Sequence, residues 1–283
     1  MTWDVRDKTV LVTGATGGIG LEASVQLARL GAHVVLVGRD PARTRAAVAE
    51  VSERGGGQPS SFLCDFSSQA SIRALAQAVL AKHDRLDVLV NNAGGVHRAR
   101  QLTMDGIEAT FATNHLGYFL LTNLLLDLLV RSAPARVVSV ASVGHRRGTL
   151  DFDDLGLERG YAIMKAYQRS KLCNVLFANE LARRAAGKGV TSNSLHPGAV
   201  ATNIWSGAPG WAKPIIWLWF RPFFISPEQG GRYIVELVAG SDLDGVTGRY
   251  FEEGNRVRPS PAAEDPELAA RLWQTSSRLV GLG

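Results

Sequence analysis

The sequence predicts an α/β protein with a doubly wound, Rossmann-like parallel sheet in a single domain that spans residues 1–283. Short, almost wholly apolar runs of strand length alternate with longer helical patterns from residue 8 to about residue 196, and no linker interrupts them. Nearly continuous apolar strands between helices indicate a parallel sheet that is covered on both faces. A glycine-rich string also follows the first strand directly, where such folds make a tight turn.

The elements follow in chain order. The strands are predicted at residues 8–13, 33–37, 61–64, 88–90, 136–140 and 190–195. The helices between them are predicted at residues 18–30, 41–54, 68–82, 103–131 and 160–186. The tail after residue 252 is polar and ends in a short helix.

Composition narrows the class of protein. Hydrophobic residues make up 46% and charged residues 20% of the chain, which is an ordinary globular balance. The net charge of +5 comes from scattered basic residues without a run of five. A soluble protein that binds a phosphorylated ligand is therefore favoured over a nucleic-acid-binding protein.

The cysteines and the termini indicate a reduced, cytoplasmic location. Cys64 and Cys173 are far apart, and neither they nor the six histidines show metal-ligand spacing, so no metal is expected. The first residues carry charges where a signal peptide needs an apolar core. The apolar stretch 116–130 is interrupted by Asn123 and Asp127 and is too short to span a membrane.

The first strand runs into TGATGGIG, residues 13–20. Glycines in such a loop permit a tight turn and let backbone N–H groups approach a pyrophosphate at the start of the next helix. The position after strand one favours a dinucleotide site over a plain structural turn. The expected cofactor contacts here are Gly14, Thr16, Gly18, Ile19 and Gly20.

The second strand ends in VLVGRD, where an acidic tip would bind the ribose 2′-hydroxyl and reject a 2′-phosphate. Arg39 follows Gly38 instead and can neutralise a 2′-phosphate, so NADP(H) is predicted rather than NAD(H). The alternative is a solvated surface arginine. Asp40 is expected to cap the next helix, because Pro41 follows it.

The third and fourth strands also end in candidate cofactor contacts. Asp65 is expected to accept a hydrogen bond from an adenine amino group, or else to cap the following helix. VLVNNAGG, residues 88–95, ends in asparagines and small residues that a cofactor can pass closely. These strands add Asp65, Phe66, Asn91, Ala93 and Gly94 to the expected cofactor contacts.

The chain resembles the short-chain dehydrogenase/reductase family over residues 8–203, in six strings that occur in order: TGxxxGxG, NNAG, an Asn within TNHLG, a Ser after the fifth strand, YxxxK and HPG. NHLGYFLLTNLLLDLL, AYQRSKLCNVLFANELARR, HPGAV and GRYF are similar to its retinol dehydrogenase-like branch. The resemblance implies catalytic roles for Asn114, Ser142, Tyr167 and Lys171, and cofactor contacts at Tyr167, Lys171, Pro197, Gly198, Val200 and Thr202.

YAIMKAYQRSK contains Tyr-x-x-x-Lys twice, as Tyr161 with Lys165 and as Tyr167 with Lys171. On one helix the two pairs would lie about 120° apart, so only one pair can face the site. In the family a Pro-Gly pair follows the tyrosine by roughly thirty residues, and a Ser precedes the Lys. Tyr167 has that spacing to the Pro-Gly of HPGAV, and Ser170 precedes Lys171. Tyr167 and Lys171 are the predicted pair, and Tyr161 is expected to line the start of the helix.

These residue types suit hydride transfer to a carbonyl, which builds an alkoxide that must receive a proton. Tyr167 is expected to exchange that proton, and the Lys171 ammonium to lower the tyrosine pKa and hold the nicotinamide ribose. Ser142 is expected to hydrogen-bond the carbonyl oxygen, in preference to Ser139 within the strand. Asn114 matches the family asparagine whose backbone positions a water in a proton relay.

Residues 203–225 are predicted to form an apolar substrate lid, since four of the six tryptophans lie in 204–224 between prolines. Core packing and a membrane-surface anchor, with weak contact to the membrane, are the alternatives. The expected substrate contacts are Ser142, His145, Trp205, Trp217 and Trp219.

The expected function is NADP(H)-dependent hydride transfer between nicotinamide and a lipophilic aldehyde, ketone or alcohol. A ketoreductase of a polycyclic natural product and a catalytically inactive cofactor-sensing protein are the alternatives. The nearly continuous apolar pattern of residues 116–129, together with family analogy, predicts a homodimer.

Overall fold

The structure is a computed structural model, and it describes residues 3–198 and 225–282. Within these residues one sheet has the strand order β3-β2-β1-β4-β5-β6-β7-β8. All neighbouring strands are parallel except the antiparallel pair β7 and β8. The strands are β1 (Thr9–Thr13), β2 (His33–Gly38), β3 (Ser60–Leu63), β4 (Val88–Asn91), β5 (Ala135–Val140), β6 (Val190–His196), β7 (Tyr250–Glu252) and β8 (Asn255–Val257).

Helices lie on both faces of this sheet. They are α1 (Gly18–Arg29), α2 (Pro41–Gly55), α3 (Gln69–Lys82), α4 (Ala109–Phe111), α5 (Gly117–Arg131), α6 (Ile163–Arg184), α7 (Pro227–Ala239), α8 (Pro261–Glu264) and α9 (Pro266–Leu279). A π-helical turn, Ala112–Leu116, joins α4 to α5, and short 3₁₀ helices occupy Val143–Arg147 and Ser241–Leu243. No helix in the described ranges is long and apolar enough to cross a membrane.

The central strands are buried on both sides, as their sequences require. β2 reads HVVLVG and β5 reads ARVVSV, and all their residues except His33 are buried. Their alternate side chains enter two separate apolar clusters, one on each face of the sheet. The prediction of a doubly wound parallel sheet in a single domain is confirmed.

Two helices begin later than their sequence patterns indicate. The stretch predicted as helical from residue 103 starts at Ala109, because Glu108 accepts the N–H groups of Thr110 and Phe111 and ends the preceding turn. The stretch predicted from residue 160 starts at Ile163. Tyr161 therefore lies before α6, and the two Tyr-Lys pairs do not share one helix.

The carboxyl end of the chain adds elements that the sequence pattern did not resolve. β7 and β8 have three residues each and extend the sheet beyond β6. Helix α9 packs against α6 through Trp273, whose ring stacks on Phe177. The predicted lid, residues 203–225, lies outside the described residues apart from Ile225.

Candidate active site

The glycine-rich loop and the end of β4 are held together by hydrogen bonds. Thr13 Oγ1 accepts the backbone N–H groups of Asn92 at 2.8 Å and Ala93 at 3.0 Å. Asn92 Nδ2 donates to the Thr13 carbonyl at 2.8 Å. A β-carbon on Gly14 would lie 2.8 Å from Ala93 Cα, and Gly14 has a φ of +65°, so only glycine fits at this crossing.

The first turn of α1 has the features of an anion-binding site. Its N-cap is Gly17, which makes no side-chain cap, and no acidic residue stands in its first turn. By contrast Asp40, Ser68 and Ser226 cap α2, α3 and α7 with side-chain oxygens. The uncapped N–H groups, beside glycines whose β-carbons would collide with neighbouring backbone, fit a pyrophosphate.

The tip of β2 presents basic side chains beside this loop. Arg39 is exposed, and Asp40 Oδ1 accepts the Arg43 backbone N–H at 2.8 Å, so Asp40 caps α2 as expected. Thr16 and Thr44 occupy the space where a side chain at Gly38 would lie. The strand tip therefore carries no acidic side chain that would reject a 2′-phosphate.

Three of the expected cofactor residues direct their side chains elsewhere. Asp65 Oδ1 accepts both the backbone N–H (2.9 Å) and the hydroxyl (2.8 Å) of Ser67, and Ser68 rather than Asp65 caps α3. Phe66 is buried against Gly117. Asn91 donates to Thr122 Oγ1 at 3.0 Å. Phe66 and Asn91 can therefore offer a cofactor only their backbone.

Ser142 and Tyr167 lie side by side at the carboxyl end of β5. Ser142 precedes the 3₁₀ helix Val143–Arg147, and its Oγ accepts the Gly144 backbone N–H at 3.1 Å. The Ser142 hydroxyl lies close enough to Tyr167 to act against the raised pKa of the phenol. A β-carbon on Gly144 would lie 3.4 Å from both Ser142 Oγ and Tyr167 Cε1, so Gly144 leaves the approach to both groups open.

Lys171 is buried one turn after Tyr167, and its Nζ donates to the Val140 carbonyl at 3.0 Å. Burial lowers the pKa of Lys171 to about 8. The pKa of Tyr167 is raised by burial, and the nearby Ser142 hydroxyl acts against this shift. The lowering of the tyrosine pKa by the Lys171 ammonium stays a prediction for the protein with oxidised nicotinamide bound. The ammonium is directed to Val140 and lies 5.7 Å from the centre of the phenol ring.

Asn114 sits in the π-helical turn between α4 and α5, a distortion that often marks functional positions. Its Oδ1 accepts the Gly95 N–H at 2.8 Å, and its Nδ2 donates to the Gly95 carbonyl at 2.9 Å and to Ser170 Oγ at 3.0 Å. The Ser170 hydroxyl in turn donates to the Tyr167 carbonyl at 2.7 Å. Asn114 thus links the β4 loop to the helix that carries Tyr167.

His145 does not face a substrate space. It is fully buried, Nδ1 contacts the Ser142 carbonyl at 2.7 Å, and Nε2 contacts the Ser260 backbone N–H at 3.1 Å. Because both ring nitrogens are bonded to backbone, His145 is removed from the expected substrate contacts. Val200, Thr202, Trp205, Trp217 and Trp219 lie outside the described residues.

Comparisons with known proteins point to one family. The short chain dehydrogenase family matches residues 8–212. The chain belongs to the short-chain dehydrogenase family. It is 42% identical to mouse retinol dehydrogenase 14, over 97% of this chain and 86% of the relative, and 42% identical to human retinol dehydrogenase 13, over 97% and 85%. The resemblance to the retinol dehydrogenase-like branch is confirmed.

Solved structures agree with this short-chain dehydrogenase fold. An uncharacterised protein from Mycobacterium paratuberculosis superposes with a TM-score of 0.81 and 32% identity, covering 99% of this chain and 96% of its own. The NADP complex of Pseudomonas aeruginosa RhlG superposes with a TM-score of 0.72 and 25% identity, covering 94% and 98%. The protein is thus an oxidoreductase of this family, and a nicotinamide cofactor fits its glycine-rich loop.

Sequence reasoning about this short-chain dehydrogenase missed Arg43. Its Nη2 would lie 3.4 Å from a β-carbon on Gly17, so the guanidinium stands over the glycine-rich loop. The signal was present, since Arg43 follows Arg39 by four residues and lies near the start of α2.

The other Tyr-Lys pair of this short-chain dehydrogenase, Tyr161 with Lys165, lies apart from Ser142. The Tyr161 hydroxyl donates to the His97 carbonyl at 2.7 Å, and Lys165 is exposed. Tyr167, in contrast, lies beside Gly144 together with Ser142 and is followed by the buried Lys171. The geometry supports the choice of Tyr167 with Lys171.

Proposed function

We propose that the protein transfers a hydride between NADP(H) and a lipophilic aldehyde, ketone or alcohol, with Tyr167 as general acid and base. The observation that carries the proposal is that the Ser142 and Tyr167 side chains flank Gly144 at the carboxyl end of β5, with Lys171 one turn further along. Hydride exchange is the chemistry that a bound nicotinamide would supply at this edge of the sheet.

Side chains of the protein bind the carbonyl oxygen of the substrate and supply the proton. Ser142 Oγ accepts the Gly144 N–H, so its own proton is free to point toward a carbonyl oxygen. Tyr167, whose pKa is raised, is protonated at neutral pH and can deliver a proton to the alkoxide.

A preference for NADP(H) over NAD(H) is supported by the two arginines beside the glycine-rich loop. Arg39 follows the bare tip of β2, and Arg43 reaches toward Gly17. A 2′-phosphate would meet two guanidinium groups there, whereas a free 2′-hydroxyl would meet no carboxylate at the strand tip. The solved relatives that contain NADP or NADPH are consistent with this preference.

A lipophilic substrate is supported by exposed apolar side chains that lie next to Ser142 and Tyr167 along the chain. Val143 follows Ser142 and is 46% exposed, while Ile163 and Met164 on the first turn of α6 are 37% and 51% exposed. Ile163 stands one helical turn before Tyr167. Exposed apolar groups at this position favour an apolar ligand over a charged one, as the names of the retinol dehydrogenases suggest.

The test is NADPH oxidation by the purified protein with a panel of aldehydes and ketones that runs from short aliphatic compounds to retinal. We expect kcat/KM to rise with apolar surface, and Tyr167→Phe to be inactive in the same assay. Turnover confined to polycyclic ketones would support the ketoreductase alternative. NADPH binding without turnover of any panel member would support the cofactor-sensing alternative.

The remaining expectations stay predictions. A cytoplasmic location, weak membrane-surface contact and the substrate lid depend in part on residues outside the described ranges. The predicted homodimer depended on the apolar pattern of residues 116–129, and the structure buries much of that pattern within one chain. Leu124, Leu126 and Val130 of this helix stay partly exposed, and the homodimer stays a prediction.

A further inference from the structure

We propose that His145, held with its proton on Nδ1, is a positioning residue that fixes Ser142 for catalysis. The inference rests on the proposed function and adds to it a residue that does not touch substrate. His145 lies three residues after Ser142 in the 3₁₀ helix Val143–Arg147, and its side chain is fully buried.

The Ser142 carbonyl receives two contacts from His145. The backbone N–H of His145 donates to it at 3.0 Å, as a 3₁₀ turn requires, and Nδ1 approaches the same oxygen at 2.7 Å. A carbonyl oxygen has two lone pairs and can accept both. The His145 side chain therefore adds a second hydrogen bond to the turn that carries Ser142.

The other ring nitrogen decides which tautomer is present. Nε2 lies 3.1 Å from the backbone nitrogen of Ser260, and a backbone N–H can only donate. Nε2 must therefore accept, and the single ring proton of a neutral imidazole must sit on Nδ1, where the Ser142 carbonyl accepts it. Burial lowers the pKa of His145, which keeps the ring neutral at pH 7.

The ring is fixed from a second direction. The Tyr250 ring on β7 meets the imidazole edge to face, with ring centroids 4.6 Å apart. Ser260 stands at the start of α8. His145 thus ties the Ser142 turn to the last strands and helices of the fold, which gives the turn a rigid support.

The position of the turn matters because it also orients the Ser142 hydroxyl. Ser142 Oγ accepts the Gly144 N–H from within the same turn at 3.1 Å. If the turn rotates, that N–H leaves Oγ and the hydroxyl oxygen is no longer held in place. A hydrogen-bond donor that is aimed before reaction contributes more than one that must reorient.

The experiment compares His145→Asn with His145→Gln. The Asn amide nitrogen can occupy the place of Nδ1 and still donate to the Ser142 carbonyl. The Gln amide oxygen reaches the place of Nε2 and accepts from Ser260 without serving Ser142. Both variants lose the ring that packs on Tyr250, so the loss of thermal stability is shared and the kinetic difference reports the Ser142 contact.

We expect His145→Asn to keep kcat within about threefold of the wild type. His145→Gln should lower kcat by about tenfold to a hundredfold, with the KM for NADPH unchanged. Equal kcat values for the two variants, or a full kcat for His145→Gln, would overturn the proposal.

A second readout does not depend on activity. In protein with ¹⁵N-labelled histidine, long-range ¹H–¹⁵N correlation should show one neutral ring with its proton on Nδ1, and that signal should vanish in both variants. A His145 ring protonated on Nε2 would overturn the proposal. If the wild type turns over no carbonyl at all, the proposed function fails, while this spectrum still decides whether His145 holds the Ser142 turn.

Discussion

The indole of Trp273 stacks on the phenyl ring of Phe177, with ring centroids 5.8 Å apart and planes inclined by 16°. The same indole meets Phe119 edge to face at 4.8 Å. Close by, His115 Nε2 and Ser276 Oγ are 2.9 Å apart. Through these contacts α9 covers apolar surface of α5 and α6 within one chain, where the sequence pattern suggested a second copy.

Replacing Trp273 by Ala should lower the free energy of unfolding by about 3–5 kcal/mol, because it removes a buried aromatic from between two rings. Chemical denaturation measures this change. The matched control is Leu282→Ala, at a side chain that is 37% exposed, which should change stability by less than about 0.5 kcal/mol. Equal stability of the two variants would mean that α9 does not hold this surface.

The choice between Tyr167 and Tyr161 can be tested by removing the hydroxyl oxygen of each in turn. Tyr167→Phe should abolish turnover while NADPH still binds, because only the proton donor is removed. Tyr161→Phe should stay largely active, since that hydroxyl bonds the His97 carbonyl. Steady-state kinetics and NADPH fluorescence titration measure the two effects, and the reverse pattern would show that the wrong pair was chosen.

The two arginines beside the glycine-rich loop should govern the choice of cofactor. Arg39→Ala and Arg43→Ala should each raise the KM for NADPH by about tenfold, and leave the KM for NADH nearly unchanged, because a charge-assisted contact is lost. Arg45→Ala, at an exposed position on α2, is the control. Equal effects on both cofactors would make Arg39 and Arg43 ordinary surface residues.

Lys171 should make stability depend on pH in the alkaline range. Its pKa is lowered from 10.5 to about 8, so between these values the unfolded chain binds more protons than the native protein. The free energy of unfolding should then rise with pH, by up to about 1.4 kcal/mol per pH unit, relative to Lys171→Met. Denaturant unfolding of the cofactor-free proteins tests this, and parallel curves for the two proteins would contradict it.

The sequence predicts the sheet well because burial on both faces leaves a strong apolar pattern. β1, β2, β4 and β5 are such strands, and their predicted positions differ from the structure by at most one residue at either end. β7 and β8 are only three residues long, so they carry no periodicity that could be read.

A residue of the site can be predicted from the sequence where its type alone fixes its role. It is harder to predict where its role depends on residues that only the fold brings next to it. The tyrosine and serine were found from their strings, and the structure places both side chains beside Gly144. The raised pKa of Tyr167 was not foreseen, because it depends on how deeply the phenol is buried. The enclosure of His145 likewise depends on Ser260, which is distant in sequence.

Gly198 and Ile225, the residues on either side of residues 199–224, lie against each other. A β-carbon on Gly198 would be 2.7 Å from Ile225 Cδ1, so the chain leaves the end of β6 and returns to the start of α7 at the same point. A closed junction of this kind tolerates exchange of what lies between its ends. Grafting the corresponding piece of another family member between Gly198 and Ile225 should therefore leave the strands and their register unchanged, and a changed substrate preference in the graft would support the predicted lid.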